Sequence, residues 1–194
     1  MIAVPEPGGD PSAESPADGE LWSRAAGGDD AAFTELFHRH VEAVWNHAYR
    51  LTGSWATAED VASSTFVTAW RKCGDFDLVN DSARPWLFTV AANLARTQGR
   101  GERRWRRLRG AVRLEVAHDH ADDVTDRVDG QDTLRRAVEA IRRLPRSQRQ
   151  AAELCLLGDL SVAEAASALG VAEVTVRSQI SRARARLRHT LEES

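Results

Sequence analysis

Wherever apolar side chains recur in this chain, they recur every three or four residues. Phe33, Leu36, Phe37, His40, Val41, Val44, Trp45, Ala48 and Leu51 form one stripe, the spacing of a helix that buries a single face. Gly53 ends that helix, and Thr57 with Asp60 can cap the next, whose stripe is Val61, Ala62, Thr65, Phe66, Ala69, Trp70 and Cys73. Gly74–Ala83, with Asp75, Asp77, Asn80 and Asp81, reads as a loop. Ser82 and Pro85 then suit the first turn of a third helix with an apolar face of Trp86, Leu87, Val90, Ala91 and Leu94. Leu134, Val138, Ile141 and Leu144 start another helix that Pro145 stops, and one more is expected over roughly 147–157. No stretch alternates as a strand would, so the chain is expected to be all-α.

At 194 residues and 42% hydrophobic, the chain can bury one moderate core or two small ones. Residues 1–18 are rich in Pro, Gly, Ser and acids and carry no apolar period, so they are expected to be a disordered tail. No run approaches the roughly 20 apolar residues of a membrane span, and the N-terminus is acidic rather than basic and then apolar. A cytoplasmic protein is expected. Cys73 and Cys155 lie far apart on separate helix faces and are expected to be buried, reduced thiols.

The formal net charge of −3 hides a strong segregation. Residues 96–113 hold eight arginines against Glu102, a local balance of +7. Residues 115–132 hold seven acids against Arg127, a balance of −6, and residues 177–188 hold five arginines and no acid. Basic character therefore sits in two places, separated by an acidic spacer without periodicity.

The segment from Leu160 to Arg177 has the proportions of a helix-turn-helix. Ser161 and Glu164 form a capping box, Ala166 suits the close approach of two helices, and Gly170 suits the positive backbone angle of the turn. Leu169 and Val176 can close the small core. The second helix, expected from Glu173 to about Thr190, presents Glu173, Thr175, Arg177, Ser178, Ser181 and Arg182 toward a ligand. Such side chains hydrogen-bond base edges and phosphates in a major groove, arginine to guanine above all. Arg184, Arg186 and Arg188 surround more of that helix than one groove could use.

The arginine block has a second context. Asn93, Thr97, Arg100 and Arg104 follow spacings of four, three and four, and so share one helix face that runs into Arg103 and its neighbours. Arginines at this density neutralise phosphates. By themselves they suit a membrane surface, RNA or an acidic protein equally well. Trp86 ahead of them can hold an unstacked base or pack in the core. His118, Asp119, His120, Asp122 and Asp123 fall in the acidic spacer without a scaffold, and no metal or other cofactor is expected. Neither a nucleophile triad nor a glycine-rich phosphate cradle is present, so nothing points to an enzyme.

Four motifs in order resemble the extracytoplasmic-function subfamily of the sigma-70 family of bacterial RNA polymerase sigma factors. They are Ala58-Glu-Asp-Val-Ala with Thr65-Phe-Val-Thr-Ala-Trp, then Trp86-Leu-Phe-Thr-Val-Ala-Ala-Asn-Leu-Ala, then Leu144-Pro before the helix-turn-helix, and last Thr175-Val-Arg-Ser-Gln-Ile-Ser-Arg-Ala-Arg. The resemblance covers Leu21 to Leu191. It implies two small helical domains, a sigma region 2 bundle at 19–110 and a sigma region 4 helix-turn-helix at 131–194, joined by an acidic flexible linker at 111–130.

The implied role is promoter recognition and assisted melting by a subunit that is not an enzyme. Glu59, Asp60, Ser63, Ser64 and Val67 would dock on the clamp helices of core polymerase, while region 4 also meets its flap. Asn80, Trp86, Asn93, Thr97, Arg100, Arg103 and Arg104 would bind the minus-ten element, and Glu173, Thr175, Arg177, Ser178, Ser181 and Arg182 the minus-thirty-five element. An anti-sigma factor is an implied partner. The chain departs from the family pattern at Ser63 and Ser64, where Gln-Glu is usual, and after Phe76, where a glycine is usual. Ala165 replaces a larger aliphatic residue, and Ala172 is a poor helix cap. The alternatives are a helix-turn-helix regulator that never joins polymerase, and an RNA-binding or interaction protein using the arginine block.

Overall fold

The computed structural model describes residues 16–110 and 136–192, with side chains throughout except at Asn80 and at positions 100–110, 191 and 192. These residues form α1 (Asp18–Ala26), α2 (Asp30–Thr52), α3 (Trp55–Lys72), a 3-10 turn at Val79–Asp81 and α4 (Arg84–Gly110). A helix over 136–143, α5, follows, then α6 (Arg146–Cys155), α7 (Val162–Leu169) and α8 (Glu173–Glu192). No strand occurs among the described residues. The protein is all-α, as the periodicity requires, and the acidic spacer lies outside the described residues.

The ends of the helices follow local chemistry. Asp29 caps α2 by accepting from the N–H groups of Ala31 and Ala32, and Gly53 closes it at φ 68°, a conformation that strains any residue with a Cβ. Only Gly53 and Ser54 separate α2 from α3, so the cap falls on Ser54, which accepts from the Thr57 N–H. Thr57 and Asp60, expected as caps, lie inside α3.

Asp18, expected to belong to the N-terminal tail, does not. Asp18 opens α1 and is buried. Its carboxylate accepts from Arg39 Nη1 and from the Ala83 N–H, both at 2.9 Å, and lies 2.7 Å from His40 Nε2. Burial alone would raise its pKa. The bonds from His40, Ala83 and Arg39 outweigh burial and hold the carboxyl at about 2. One acid thus ties α1 to α2 and fixes the residue from which α4 starts. Composition could not reveal this, because the partners are 21 to 65 residues away in sequence.

The core joins both halves of the chain. Leu36, Val44, Val61, Phe66, Leu87, Phe88 and Ala91 share one continuous cluster with Leu154, Leu160, Ala165, Ala166, Val176 and Ile180. A small second cluster, Ile141, Leu144, Ala152 and Ala183, closes α5, α6 and α8 on one another. At the junction His47 is buried and stacks on Phe88, with ring centroids 4.3 Å apart and planes 7° from parallel. A Cβ on Gly158 would stand 2.6 Å from the Leu154 carbonyl oxygen, 2.9 Å from Phe88 and 3.1 Å from His47, so the chain passes here only as glycine.

Burial pushes the His47 imidazole from its ordinary 6.5 down to about 4. The folded protein therefore binds fewer protons here than the unfolded chain. The stabilisation is fully present above about pH 6.5 and is lost as pH falls toward 4, at no more than about 1.4 kcal/mol per pH unit. Replacing His47→Leu is expected to flatten the decline of the urea midpoint between pH 6.5 and 4.5. An unchanged slope would mean that His47 does not titrate with unfolding.

Candidate nucleic-acid interface

The helix-turn-helix forms as its residues dictate. Ser161 Oγ accepts from the Glu164 N–H at 3.2 Å, and Glu164 Oε2 accepts from the Ser161 N–H at 2.8 Å. Gly170 takes φ 65°, and the Val171 N–H returns to the Ala166 carbonyl at 3.1 Å. Ala165, Ala166, Val176, Ile180 and Ala183 face inward. On α8, Glu173, Thr175, Arg177, Ser181 and Arg182 are exposed and Ser178 is half-buried. Arg177 donates to Glu173 Oε2 at 2.6 Å, an exposed pair one turn apart. Arg184, Arg186 and Arg188 are exposed as well. One face of one helix therefore gathers all six residues expected to meet duplex DNA.

The expected stripe on α4 is assembled only in part. Asn93 and Thr97 are exposed, and the Thr97 hydroxyl donates to the Asn93 backbone carbonyl at 3.0 Å. The side chains of Asn80, Arg100, Arg103 and Arg104 lie outside those described. Trp86 is half-buried, its ring 5.3 Å from Trp22 and 5.3 Å from Phe76, while Trp22 Nε1 donates to the Phe76 carbonyl at 3.1 Å. That aromatic trio fastens the 74–83 loop to α1. Packing is thus the role the geometry gives Trp86.

On α3, Glu59, Asp60, Ser63 and Val67 are exposed and Ser64 is half-buried. Both acids sit beyond the first turn, out of range of the helix dipole's positive end. At the N-terminal end of α3, on the side turned toward α2, Trp55 is 68% exposed, 4.4 Å from Trp45, which stacks on Tyr49. The sequence reading missed Trp55. Its spacing of three from Ala58 would place it on the buried stripe, so periodicity conceals it.

A seam between the two halves went unforeseen. Arg50 Nη1 donates to the Leu157 carbonyl at 3.0 Å and to Asp159 at 2.6 Å, and Arg84 Nη2 donates to the Gly158 carbonyl at 3.1 Å. Arg96 of α4 pairs with Glu153 of α6 and also donates to Asn93 Oδ1. Glu153 is 5% exposed and Arg96 is 18% exposed. Burial pushes the Glu153 carboxyl up and the Arg96 guanidinium down, more than their mutual attraction compensates. Asn93, Arg96, Thr97, Arg146 and Arg149 line one polar cleft along this seam.

Among the described residues no cluster of three side chains suits a metal, and Cys73 and Cys155 are free. The His118–Asp123 cluster lies outside them. No described helix is long and apolar enough to cross a membrane.

A helix-turn-helix with an exposed arginine-bearing second helix, beside a long helix with an exposed polar stripe, defines a class of helical DNA-binding proteins. The chain matches the family models of Sigma-70 region 2 over residues 36–109 and Sigma-70 region 4 over residues 134–187. It is 33% identical over 175 residues to the ECF RNA polymerase sigma factor SigL of Mycobacterium tuberculosis, covering 88% of this chain and 95% of that one. It is 33% identical to the RNA polymerase sigma factor NccH of Alcaligenes xylosoxydans xylosoxydans, covering 91% and 96%. Among solved structures, CnrH in complex with the cytosolic domain of CnrY superposes with TM-score 0.65 at 27% identity, covering 92% of this chain and 99% of that one. RpoE in complex with the anti-sigma factor NepR from Bartonella quintana gives 0.56 at 29%, covering 82% and 96%. The chain belongs to the extracytoplasmic-function group of the sigma-70 family. It is a promoter-specificity subunit of RNA polymerase and not an enzyme.

Removing one member of a largely buried ion pair leaves the other charge under-compensated, which commonly costs about 3–5 kcal/mol. Glu153→Ala is expected to lower unfolding stability by about 3 kcal/mol, near the low end because Arg96 retains some solvent. The double change Arg96→Met with Glu153→Leu should restore most of it. Urea denaturation of the three variants checks this, and equal losses in single and double variants would contradict it.

Proposed function

We propose that α8 reads the duplex minus-thirty-five element through Glu173, Thr175, Arg177, Ser178, Ser181 and Arg182. Asn93 and Thr97 on α4, with Asn80, Arg100, Arg103 and Arg104, hold unpaired bases and phosphates of the minus-ten element. Melting then needs no nucleotide hydrolysis, because capture of splayed bases stabilises the open strand. The observation that carries this reading is the coexistence on one chain of a solvent-facing arginine helix in a helix-turn-helix and a second helix whose polar stripe enters the arginine block. The domain limits given above, 19–110 and 131–194, belong to the same proposal, as does a cytoplasmic site of action beside core polymerase.

Glu59, Asp60, Ser63, Ser64 and Val67 on the outer face of α3 form the core-docking surface. The acids suit a basic partner helix and Val67 an apolar one. An anti-sigma factor that holds the two halves together would keep Arg96 on Glu153 and Asn93 on Arg96. The α4 stripe would then stay withdrawn from DNA.

Purified protein mixed with core polymerase and a library of promoter fragments should yield specific initiated transcripts. DNA binding without core binding or initiation would instead identify a free-standing helix-turn-helix regulator. Arg177→Ala is expected to weaken duplex recognition by about 1–3 kcal/mol, the value of a bidentate base contact. Asn93→Ala should leave closed-complex affinity near wild type while lowering the yield of permanganate-reactive open complex roughly tenfold, as loss of a base contact implies. If both variants open promoters like wild type, the assignment of bases to these helices is wrong.

Asp60→Ala with Val67→Ala should reduce affinity for core polymerase about tenfold, as removal of central interface contacts commonly does. Fluorescence-anisotropy competition on core enzyme measures it. Undiminished affinity would move the docking surface off α3.

A further inference from the structure

The outward face of α8 carries one branched apolar side chain with no partner inside the protein. Val174 is 69% exposed, more than any other large apolar residue among those described. At roughly 100° per residue, Val174 falls in a row with Ser178, Ser181 and Ala185, opposite the buried row Val176, Ile180 and Ala183. Arg177 and Arg182 stand on either side of that row. Nothing local favours valine here, because a β-branched side chain is a poor helix former and this one buries nothing. A single exposed valine is unremarkable on most surfaces. This one stands on the second residue of the helix that enters the groove, and a recognition helix directs its N-terminal residues at the base edges.

The remainder of the row is small. Ser178, Ser181 and Ala185 present short side chains, so the helix can approach the floor of a groove closely along that line. The neighbouring polar groups are already suited to polar base edges. Arg177 can exchange its exposed, weak pair with Glu173 for guanine, and Glu173 can accept from cytosine. Val174 matches none of those groups. In the major groove the apolar group that a base pair displays is the 5-methyl of thymine.

We infer that Val174 is a specificity-determining residue of this sigma factor, reading a thymine methyl in the upstream promoter element by burying it against its own two methyl groups. The inference rests on the reading that α8 occupies the major groove, and it adds an apolar determinant to a set that was otherwise polar. Burying one methyl group against another in place of water corresponds to about a three- to fivefold change in affinity.

The test uses the full-length protein as holoenzyme on a promoter fragment that supports initiation. Each thymine of the upstream element is replaced singly by deoxyuridine, which removes the methyl and leaves pairing intact. One or two positions are expected to lose about three- to fivefold in wild-type affinity. In Val174→Ala that penalty should vanish, the variant binding thymine and uracil fragments alike at the level of wild type on uracil. Val174→Thr, which keeps one methyl, should fall between. Because Val174 is exposed and alanine is the better helix former, Val174→Ala should not lower thermal stability, so a lost uracil penalty is not a folding defect. An equal uracil penalty in wild type and Val174→Ala, or no sensitive position in wild type, overturns the inference. Arg177→Ala separates the two levels of the argument. If it weakens binding while uracil has no effect, only the role of Val174 fails. If it too leaves binding unchanged, α8 is not in the groove and both fail.

Discussion

The structure depends on α4 being buried from two sides. Its residues Leu87, Phe88, Ala91, Ala92 and Ala95 belong to the same core as α2 and α3, and that core continues into Leu154, Leu160, Ala165 and Ala166 of the second half. A helix that contributes to two packing surfaces must be placed accurately at its start. The buried Asp18 carboxylate does this by holding the Ala83 N–H. Small residues do the rest, since alanines at 91, 92 and 95 and glycine at 158 let backbones come close where larger side chains would hold them apart. Only the remaining sector of α4, with Asn93 and Thr97, faces solvent.

The seam between the halves is held by fit more than by charge attraction. For both Glu153 and Arg96 burial outweighs Coulombic gain, so each is displaced toward its neutral form. A pair of this kind resists loss of one partner yet is easily replaced as a whole. In the proposed reading, a phosphate would offer Arg96 a negative partner in place of Glu153. Asn93 follows Arg96, because its amide oxygen is held by that guanidinium.

Much of this was legible in the sequence. The helices, the capping box at Ser161 and Glu164, the left-handed Gly170 and the outward set on α8 all follow from interactions within a few residues, where spacing is informative. The places where reading failed share a physical reason. Asp18 looked like tail because its partners Arg39, His40 and Ala83 are distant in sequence. Trp55 escaped notice because helical spacing says which way a residue points, not whether anything stands there to cover it. The Arg96–Glu153 pair was invisible because both residues had local explanations, Arg96 as part of the basic block and Glu153 as an ordinary polar helix position. Val174 was overlooked among polar neighbours because apolar residues are expected to face inward, and its exposure emerges only when the buried row of α8 is known.

The two helices proposed to meet DNA differ in how open their polar faces are. On α8 the reading face is open, and its one internal pair, Glu173–Arg177, is exposed and weak. On α4 the central arginine is buried at the seam and holds the side chain of Asn93 with it. In the proposed reading, α8 would meet duplex with the protein as folded, whereas α4 could offer the Asn93 amide oxygen to a base only once Arg96 releases it, so the cost of base capture falls on the seam and not on the helix-turn-helix.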